Sequence, residues 1–167
     1  MTTQTRDPNF TIRPAIIKDT ALILRFIREL ADYEKLLHEV VADEATLKES
    51  LFGDIPHAKV VIGEYNDVAV SFALYFHNFS TFLGRPGIYL EDLYVQPNMR
   101  SKGLGKILLG YLASIALELK CGRLEWWVLD WNKSAIDFYQ SLGAESMDEW
   151  TVNRVTDKAL DKLAQQL

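Results

Sequence analysis

The segment from Tyr89 to Lys106, YLEDLYVQPNMRSKGLGK, constrains this chain more than any other. It opens as a strand, with Leu, Tyr and Val among acidic residues. Pro97 and Asn98 end that strand, because proline has no N–H for a ladder and asparagine tolerates turn geometry. Arg100-x-x-Gly103-x-Gly105 follows. Then Ile107, Leu108, Tyr111, Leu112, Ile115, Ala116 and Leu119 recur at the spacing of a helix face. Strand, glycine loop and helix in this order build an anion site. The first helical turn leaves amide groups unpaired at the positive end of the dipole. Gly103 and Gly105 carry no Cβ, so a diphosphate can approach the backbone. Lys102 and Lys106 add positive charge at the rim. The spacing is neither that of a nucleotide-binding P-loop nor that of a dinucleotide fold.

The rest of the chain supplies strands and helices around this segment. Residues 1–9 are polar and expected to fray; 10–167 reads as one domain. Phe10 to Ala15 is a strand, and Asp19 is placed to cap a helix ending near Tyr33-Glu34. Asp43 caps a second helix that Gly53 ends. Ala58–Tyr65 and Val68–Phe76, separated by Asn66-Asp67, read as a hairpin. His77 to Gly87 reads as a loop whose aromatics either wall a substrate or cover core. Gly122 ends the long helix, Arg123–Leu129 is a strand, and Ser134–Leu142 is a short helix stopped by Gly143. Trp150–Val155 suggests a late strand and Asp157–Leu167 a terminal helix. Crossover helices favour parallel pairing and hairpins antiparallel. The expected fold is therefore α/β with a mixed sheet.

Composition excludes several classes. A net charge of −5 without a long basic run disfavours nucleic acid and favours a cationic small molecule. Cys121, the only cysteine, can form no intrachain disulfide and is expected to pack near a helix end. No apolar run is long enough for a bilayer and no signal peptide is seen, so no membrane partner and a cytoplasmic address are expected. His38, His57 and His77 lack ligand spacing, so no metal is expected.

A second motif follows the first. Asn132-x-x-Ala135-x-x-Phe138-Tyr139-x-x-x-Gly143-Ala144 and Arg100-x-x-Gly103-x-Gly105 together resemble the two signatures of the GNAT family of N-acetyltransferases. The resemblance runs from Thr11-Ile12-Arg13-Pro14-Ala15 over nearly the whole remaining chain. Arg28–Glu34, Tyr89–Val95, Trp131-Asn132 and Phe138-Tyr139 are similar to the diamine (spermidine/spermine) acetyltransferases. Val128–Asn132 is similar to the branch that acetylates thialysine and related amino acids. Ser80 stands where polyamine acetylators tend to carry an acid, which leaves the amine open.

The resemblance implies a splayed mixed sheet flanked by helices, acetyl-CoA as co-substrate, and acetyl transfer to a primary amine. It implies Tyr139 as the acid that protonates the leaving thiolate and Glu91 as the base, with a water between. Glu91 and Asp92 are adjacent in a strand and point to opposite faces unless a bulge intervenes. Leu93, Tyr94 and Val95 would line the pantetheine arm, with Leu93 and Val95 offering backbone groups. Arg100 and the run Ser101, Lys102, Gly103, Leu104, Gly105 and Lys106 would cradle the diphosphate. Asn132, Ser134 and Ala135 would flank the CoA tail. The amine-binding set would be Tyr33, Glu34, Ser80, Phe82, Glu91, Asp92, Glu125, Trp126 and Trp127. Family members of this size commonly pair, so a homodimer is expected. An acetyltransferase acting on protein or peptide and a CoA-binding sensor without turnover are the competing readings.

Overall fold

The computed structural model describes residues 1–167. The chain falls into two compact units, Met1–Trp127 and Val128–Leu167. The first holds β1 (Thr3–Gln4), β2 (Phe10–Pro14), α1 (Thr20–Tyr33), α2 (Glu44–Phe52), β3 (Lys59–Tyr65), β4 (Val68–Ser80), β5 (Arg85–Val95), α3 (Leu104–Glu118) and β6 (Leu124–Trp126). The second holds α4 (Lys133–Ser141) and α5 (Asp157–Ala164). The strands lie in chain order, β1-β2-β3-β4-β5-β6. All pairs are antiparallel except β5 with β6, which is parallel, so the sheet is mixed as expected.

Side-chain parity explains the core. Ile62, Phe72 and Tyr94 are register neighbours across β3, β4 and β5. The apolar stripe of α1 lies on this row, with the Phe26 ring stacked on Phe72 at 5.6 Å and tilted against Tyr94 at 5.8 Å. Ile23, Phe26, Ile62 and Phe72 are fully buried there, and α2 adds Leu51. Residues of the other parity, Val61, Ala73 and Leu93, face the opposite side, where α3 packs against β5. At the end of the row Arg13, the partner of Ile62, binds Asp19 through Nη1 and Nη2 (2.7 and 3.0 Å) and Glu64 through Nε (2.8 Å).

Local signals succeed where partner and cap are close in sequence. Asp43 Oδ1 accepts from Thr46 N at 2.7 Å and caps α2. Asn66 and Asp67 take φ of 50° and 63°, the left-handed pair that a two-residue hairpin needs. Elsewhere the structure departs from expectation. Asp19 precedes α1 but makes no side-chain cap, because its carboxylate turns back to Arg13 and to Ile16 N (2.8 Å). Burial works against its charge, but these bonds prevail and hold it below the usual aspartate range. Gly53 ends α2 at φ −72°, not in the left-handed region.

The expected loop 77–87 is mostly ladder: β4 continues to Ser80, β5 begins at Arg85, and only 81–84 turns. Gly87 sits inside β5 because the Asn78 side chain fills the space of its missing Cβ and reaches on to Glu125 of β6. α3 stops at Glu118, before Gly122, with Lys120 left-handed at φ 55°. Cys121, half-buried, follows that end as expected and its N–H bonds to Ala116 O at 2.8 Å. The strand at 123–129 shortens to Leu124–Trp126, and 150–155 forms none, since no strand bonds to it. Thr3 and Gln4, in the segment expected to fray, pair with Ile12 and Thr11.

Candidate active site

Two sheet features open β5 to a ligand. β6 pairs with β5 only over Ile88–Leu90, while β5 runs on to Val95. The β5 edge beyond Leu90 thus lacks a strand on that side. Within this stretch the ladder to β4 slips by one residue: Leu90 faces Tyr75, but Asp92 faces Leu74. Glu91 is the extra residue of a bulge. A bulge moves every later side chain to the other face. Without it Asp92 would share the α3 side with Leu90. With it, Asp92 joins Phe72 and Tyr94 on the α1 side, where α1 ends at Tyr33-Glu34.

The electrostatics follow from this placement. Burial, then the negative charges of Glu91 and Glu34, push the Asp92 carboxyl up to about 7. Burial also raises Glu34 above the usual glutamate range. Glu91 itself is exposed. Three carboxyl groups thus converge at the open part of β5, and a cation among them would relieve their repulsion. Tyr94 is pushed up to about 12 by burial and by Glu29 beside it.

The glycine loop has the form of an anion cradle. Ser101 and Gly103 take φ of 62° and 79°, and alternation of this kind turns successive amides inward. The amides of Ser101 through Lys106 donate to no backbone acceptor. A diphosphate fits such a set of unpaired donors at a helix start. Of the loop's cations, Lys102 Nζ lies over the Tyr65 ring, 4.8 Å from its centroid. Arg100 turns inward: its Nε donates to Val95 O at 3.0 Å and its guanidinium stacks on Tyr33. Val95, expected to serve the pantetheine arm, thus already spends its carbonyl on the loop. An open groove of about 500 Å³ lies here, lined by Glu29, Asp32 and Tyr33 of α1 and by Tyr94, Gln96 and Arg100. Glu29 and Asp32 were missed in the sequence, although Glu29 stands one helical turn before Tyr33 and shares its face.

The remaining amine candidates lie differently. Ser80 is buried and its Oγ accepts from Leu83 N at 3.2 Å, so it braces the hairpin turn. Phe82 is 93% exposed at the tip of that turn. Glu125 pairs with Arg123 Nε at 2.9 Å and accepts a hydrogen bond from the Asn78 side-chain amide, so its carboxylate already has partners within the sheet. Trp126 is half-buried in β6. Trp127 is exposed and meets the Tyr89 ring edge-on at 5.6 Å, extending a row that begins at Phe76.

In the second unit Asn132 is buried and caps α4, its Oδ1 accepting from Ala135 N at 3.3 Å. Lys133 pairs with Asp137 at 2.8 Å, and Ser134 is exposed in the first turn. Tyr139 is half-buried and packs against Phe138, ring centres 5.3 Å apart.

The sequence profile of the Acetyltransferase (GNAT) family matches residues 25–144. The chain belongs to the GNAT family of acetyltransferases. The match crosses from the first unit into the second, so both contribute to one GNAT domain. A thialysine N-epsilon-acetyltransferase of Bos taurus is 39% identical, over 92% of this chain and 96% of its own length. An L-ornithine N5-acetyltransferase of Arabidopsis thaliana is 32% identical, over 91% of this chain and 86% of its own. Among solved structures, an integron cassette protein from the mobile metagenome of V. cholerae superposes with a TM-score of 0.79 at 28% identity, covering 94% of this chain and 98% of its own. This GNAT protein is an amine N-acetyltransferase, and its family implies acetyl-CoA as co-substrate.

Proposed function

We propose that this GNAT enzyme acetylates the terminal primary amine of a small cationic amino acid or diamine, of the thialysine and ornithine kind, with Asp92 as proton acceptor. The observation that carries this reading is the Asp92 carboxyl, half-buried on the α1 side of the β5 bulge near Glu34 and Glu91 and raised to about 7. An alkylammonium of pKa about 10.4 must lose a proton before its nitrogen can attack. A base poised near working pH removes it more effectively than an ordinary carboxylate of about 3.9. Glu91, exposed at the bulge, and Glu34 then hold the cation and any relaying water.

In the reaction the amine nitrogen bonds to the thioester carbonyl carbon and the carbon–sulfur bond breaks. The first ammonium proton passes to Asp92 before attack, and the second, shed by the nitrogen as the amide forms, is taken up through water by the phenolate that Tyr139 becomes on protonating the sulfur. The phenol of Tyr139 gives its proton to the departing sulfur, a role supported by the resemblance of the segment Asn132–Ala144 to the second GNAT signature. The unpaired amides of Ser101–Lys106 support binding of the diphosphate. The relatives named for thialysine and ornithine support an amino-acid amine. Ser80, in place of an acid, supports it over a long polyamine.

The same reading includes a homodimer formed through the second unit. Trp150, Val152, Val155, Leu160 and Leu163 are all exposed there, and apolar side chains so grouped favour a partner surface. Sedimentation equilibrium of the full chain tests it: a mass near twice 19.1 kDa is expected, and a single 19.1 kDa species at micromolar concentration removes the dimer.

The activity test follows thiol release from acetyl-CoA with thialysine, ornithine, lysine, putrescine, spermidine and a short peptide, for the parent, Asp92→Asn and Tyr139→Phe. Turnover on a small amine, largely lost in both variants, is expected. Turnover on the peptide alone would replace the substrate class. Full activity in Asp92→Asn would return the base role to Glu91.

A further inference from the structure

The N-terminal segment, expected to fray, is tied down. Beyond the pairing of Thr3 and Gln4 with β2, Thr5 Oγ donates to Phe10 O at 2.7 Å and accepts from Asp7 N at 3.2 Å. Phe10 N donates to Asp7 O at 3.0 Å, and Asn9 N to Asp7 Oδ1 at 3.0 Å. These bonds close a tight turn over 5–10 that presents one cation, Arg6. Its side chain is exposed and takes part in none of the chain's ion pairs. Its Nη2 lies 3.8 Å from the point that a Cβ on Gly103 would occupy. The guanidinium thus lies beside Gly103, at the middle of the amide cradle, on a turn formed at the other end of the chain.

We propose that Arg6 is a phosphate ligand of the acetyl-CoA site, closing the cradle of Ser101–Lys106 over the diphosphate; this rests on the acetyl-CoA reading above. The cradle supplies neutral amide donors to a group with more than one negative charge. The other cations of the loop are committed elsewhere or lie on the rim: Arg100 to Val95 O and Tyr33, Lys102 to Tyr65. A planar guanidinium can pair two phosphate oxygens at once. The chain's net charge of −5 repels a polyanion at long range, so a local cation at the cradle matters for capture as well as for holding. Because the 5–10 turn is already bonded, the backbone of Arg6 is placed before the ligand arrives and only its side chain remains to be ordered.

The test is calorimetric titration of the full chain with CoA, dephospho-CoA and pantetheine, for the parent, Arg6→Gln and Arg6→Lys, with Tm measured for each. Arg6→Gln is expected to weaken CoA and dephospho-CoA alike by roughly tenfold, the scale of one charge-assisted bond. It should leave pantetheine and Tm unchanged, and Arg6→Lys should recover part of the loss. Equal CoA affinity in the parent and Arg6→Gln would overturn the proposal while leaving the acetyl-CoA reading intact. A loss confined to CoA, with dephospho-CoA unaffected, would overturn the diphosphate contact in favour of the 3′-phosphate. A loss shared by pantetheine, or a fall in Tm, would make Arg6 a structural residue. A parent that binds neither CoA nor dephospho-CoA would overturn the acetyl-CoA reading together with the role of Arg6.

Discussion

The guanidinium of Arg100 lies over the ring of Tyr33, 4.6 Å from its centroid, while its Nε donates to Val95 O. Arg100, the first residue of the glycine-loop motif, is thereby fastened to the end of α1 and to the end of β5, and α1 ends at Tyr33-Glu34, where Glu34 is one of the carboxyl groups proposed above to hold the amine. Arg100→Ala should therefore raise KM for acetyl-CoA and for the amine together. A cation–π contact contributes roughly 0.5–2 kcal/mol, so each shift should be about 2- to 30-fold. Arg100→Lys keeps the charge without the planar stack and should correct acetyl-CoA more than the amine. Steady-state kinetics with each substrate varied checks this; an amine KM untouched by Arg100→Ala would sink the link.

Asp92 gives a pH dependence with a definite sign. Protonated, it neither accepts a proton nor attracts an ammonium, so kcat/KM for the amine should rise with pH through about 7, the value to which burial, Glu91 and Glu34 push it. In Asp92→Asn that limb should vanish and the rate should fall by about 10²- to 10⁴-fold, the usual worth of a general base. Stability should run the other way. The folded-state pKa is raised, so the acid costs nothing below the ordinary value of 3.8, costs increasingly as pH climbs to about 7, and costs a constant amount above that. Asp92→Asn should therefore raise Tm more at pH 8 than at pH 5. An equal change at the two pH values would mean that Asp92 titrates like a surface acid.

What the sequence revealed of the site, and what it did not, depends on range. The strand, loop and helix from Tyr89 to Lys106 were legible because proline, glycine and a helical apolar stripe act over a few residues. Asp43 and Asn66-Asp67 were legible for the same reason. The bulge at Glu91 was not, because it is a mismatch with Leu74 and Tyr75, residues on a different strand. Polar His77 and Asn78 and the loop-like Pro86 and Gly87 concealed a ladder, since the register that pairs Asn78 with Gly87 is a tertiary fact. Asp19 read as a cap because nothing local announced that Arg13 would draw its carboxylate back. Arg6 belonged to a segment with no periodicity, and its position depends on a turn and on Gly103 nearly a hundred residues away.

The Arg13–Asp19 pair should be a matter of stability and not of catalysis. Arg13 bridges Asp19 and Glu64, both partly buried, so removing one partner leaves hydrogen-bonding groups unmatched. Asp19→Asn should lower stability at pH 7 by about 1.5–3 kcal/mol, the range for bonds to charged groups. Its folded pKa lies below the ordinary 3.8, so the contribution is present above that value and is lost as pH falls through the folded pKa. Denaturant unfolding at pH 7 and at pH 2 should show a gap between parent and variant that closes in acid. A gap that persists undiminished at pH 2 would assign the effect to packing instead of charge.

Gly103 offers a sharper separation between stability and binding. Its φ is +79°, and within 4 Å of a built Cβ lies only Arg6 Nη2, so Gly103→Ala would meet backbone strain and little crowding. Left-handed geometry costs an L-residue about 1–2 kcal/mol. If the loop keeps its shape, that strain should appear as a lower Tm. If the loop relaxes instead, the inward amides re-aim and CoA affinity drops while Tm recovers. The amides of Ser101–Lys106 make no backbone bonds that would resist re-aiming, so relaxation is the expected course. Gly103→Ala should thus weaken CoA by more than tenfold with only a small loss of Tm, each tenfold being about 1.4 kcal/mol of binding. Calorimetric CoA titration beside a thermal melt decides it, and unchanged CoA affinity would show that the amide cradle is not where the diphosphate is held.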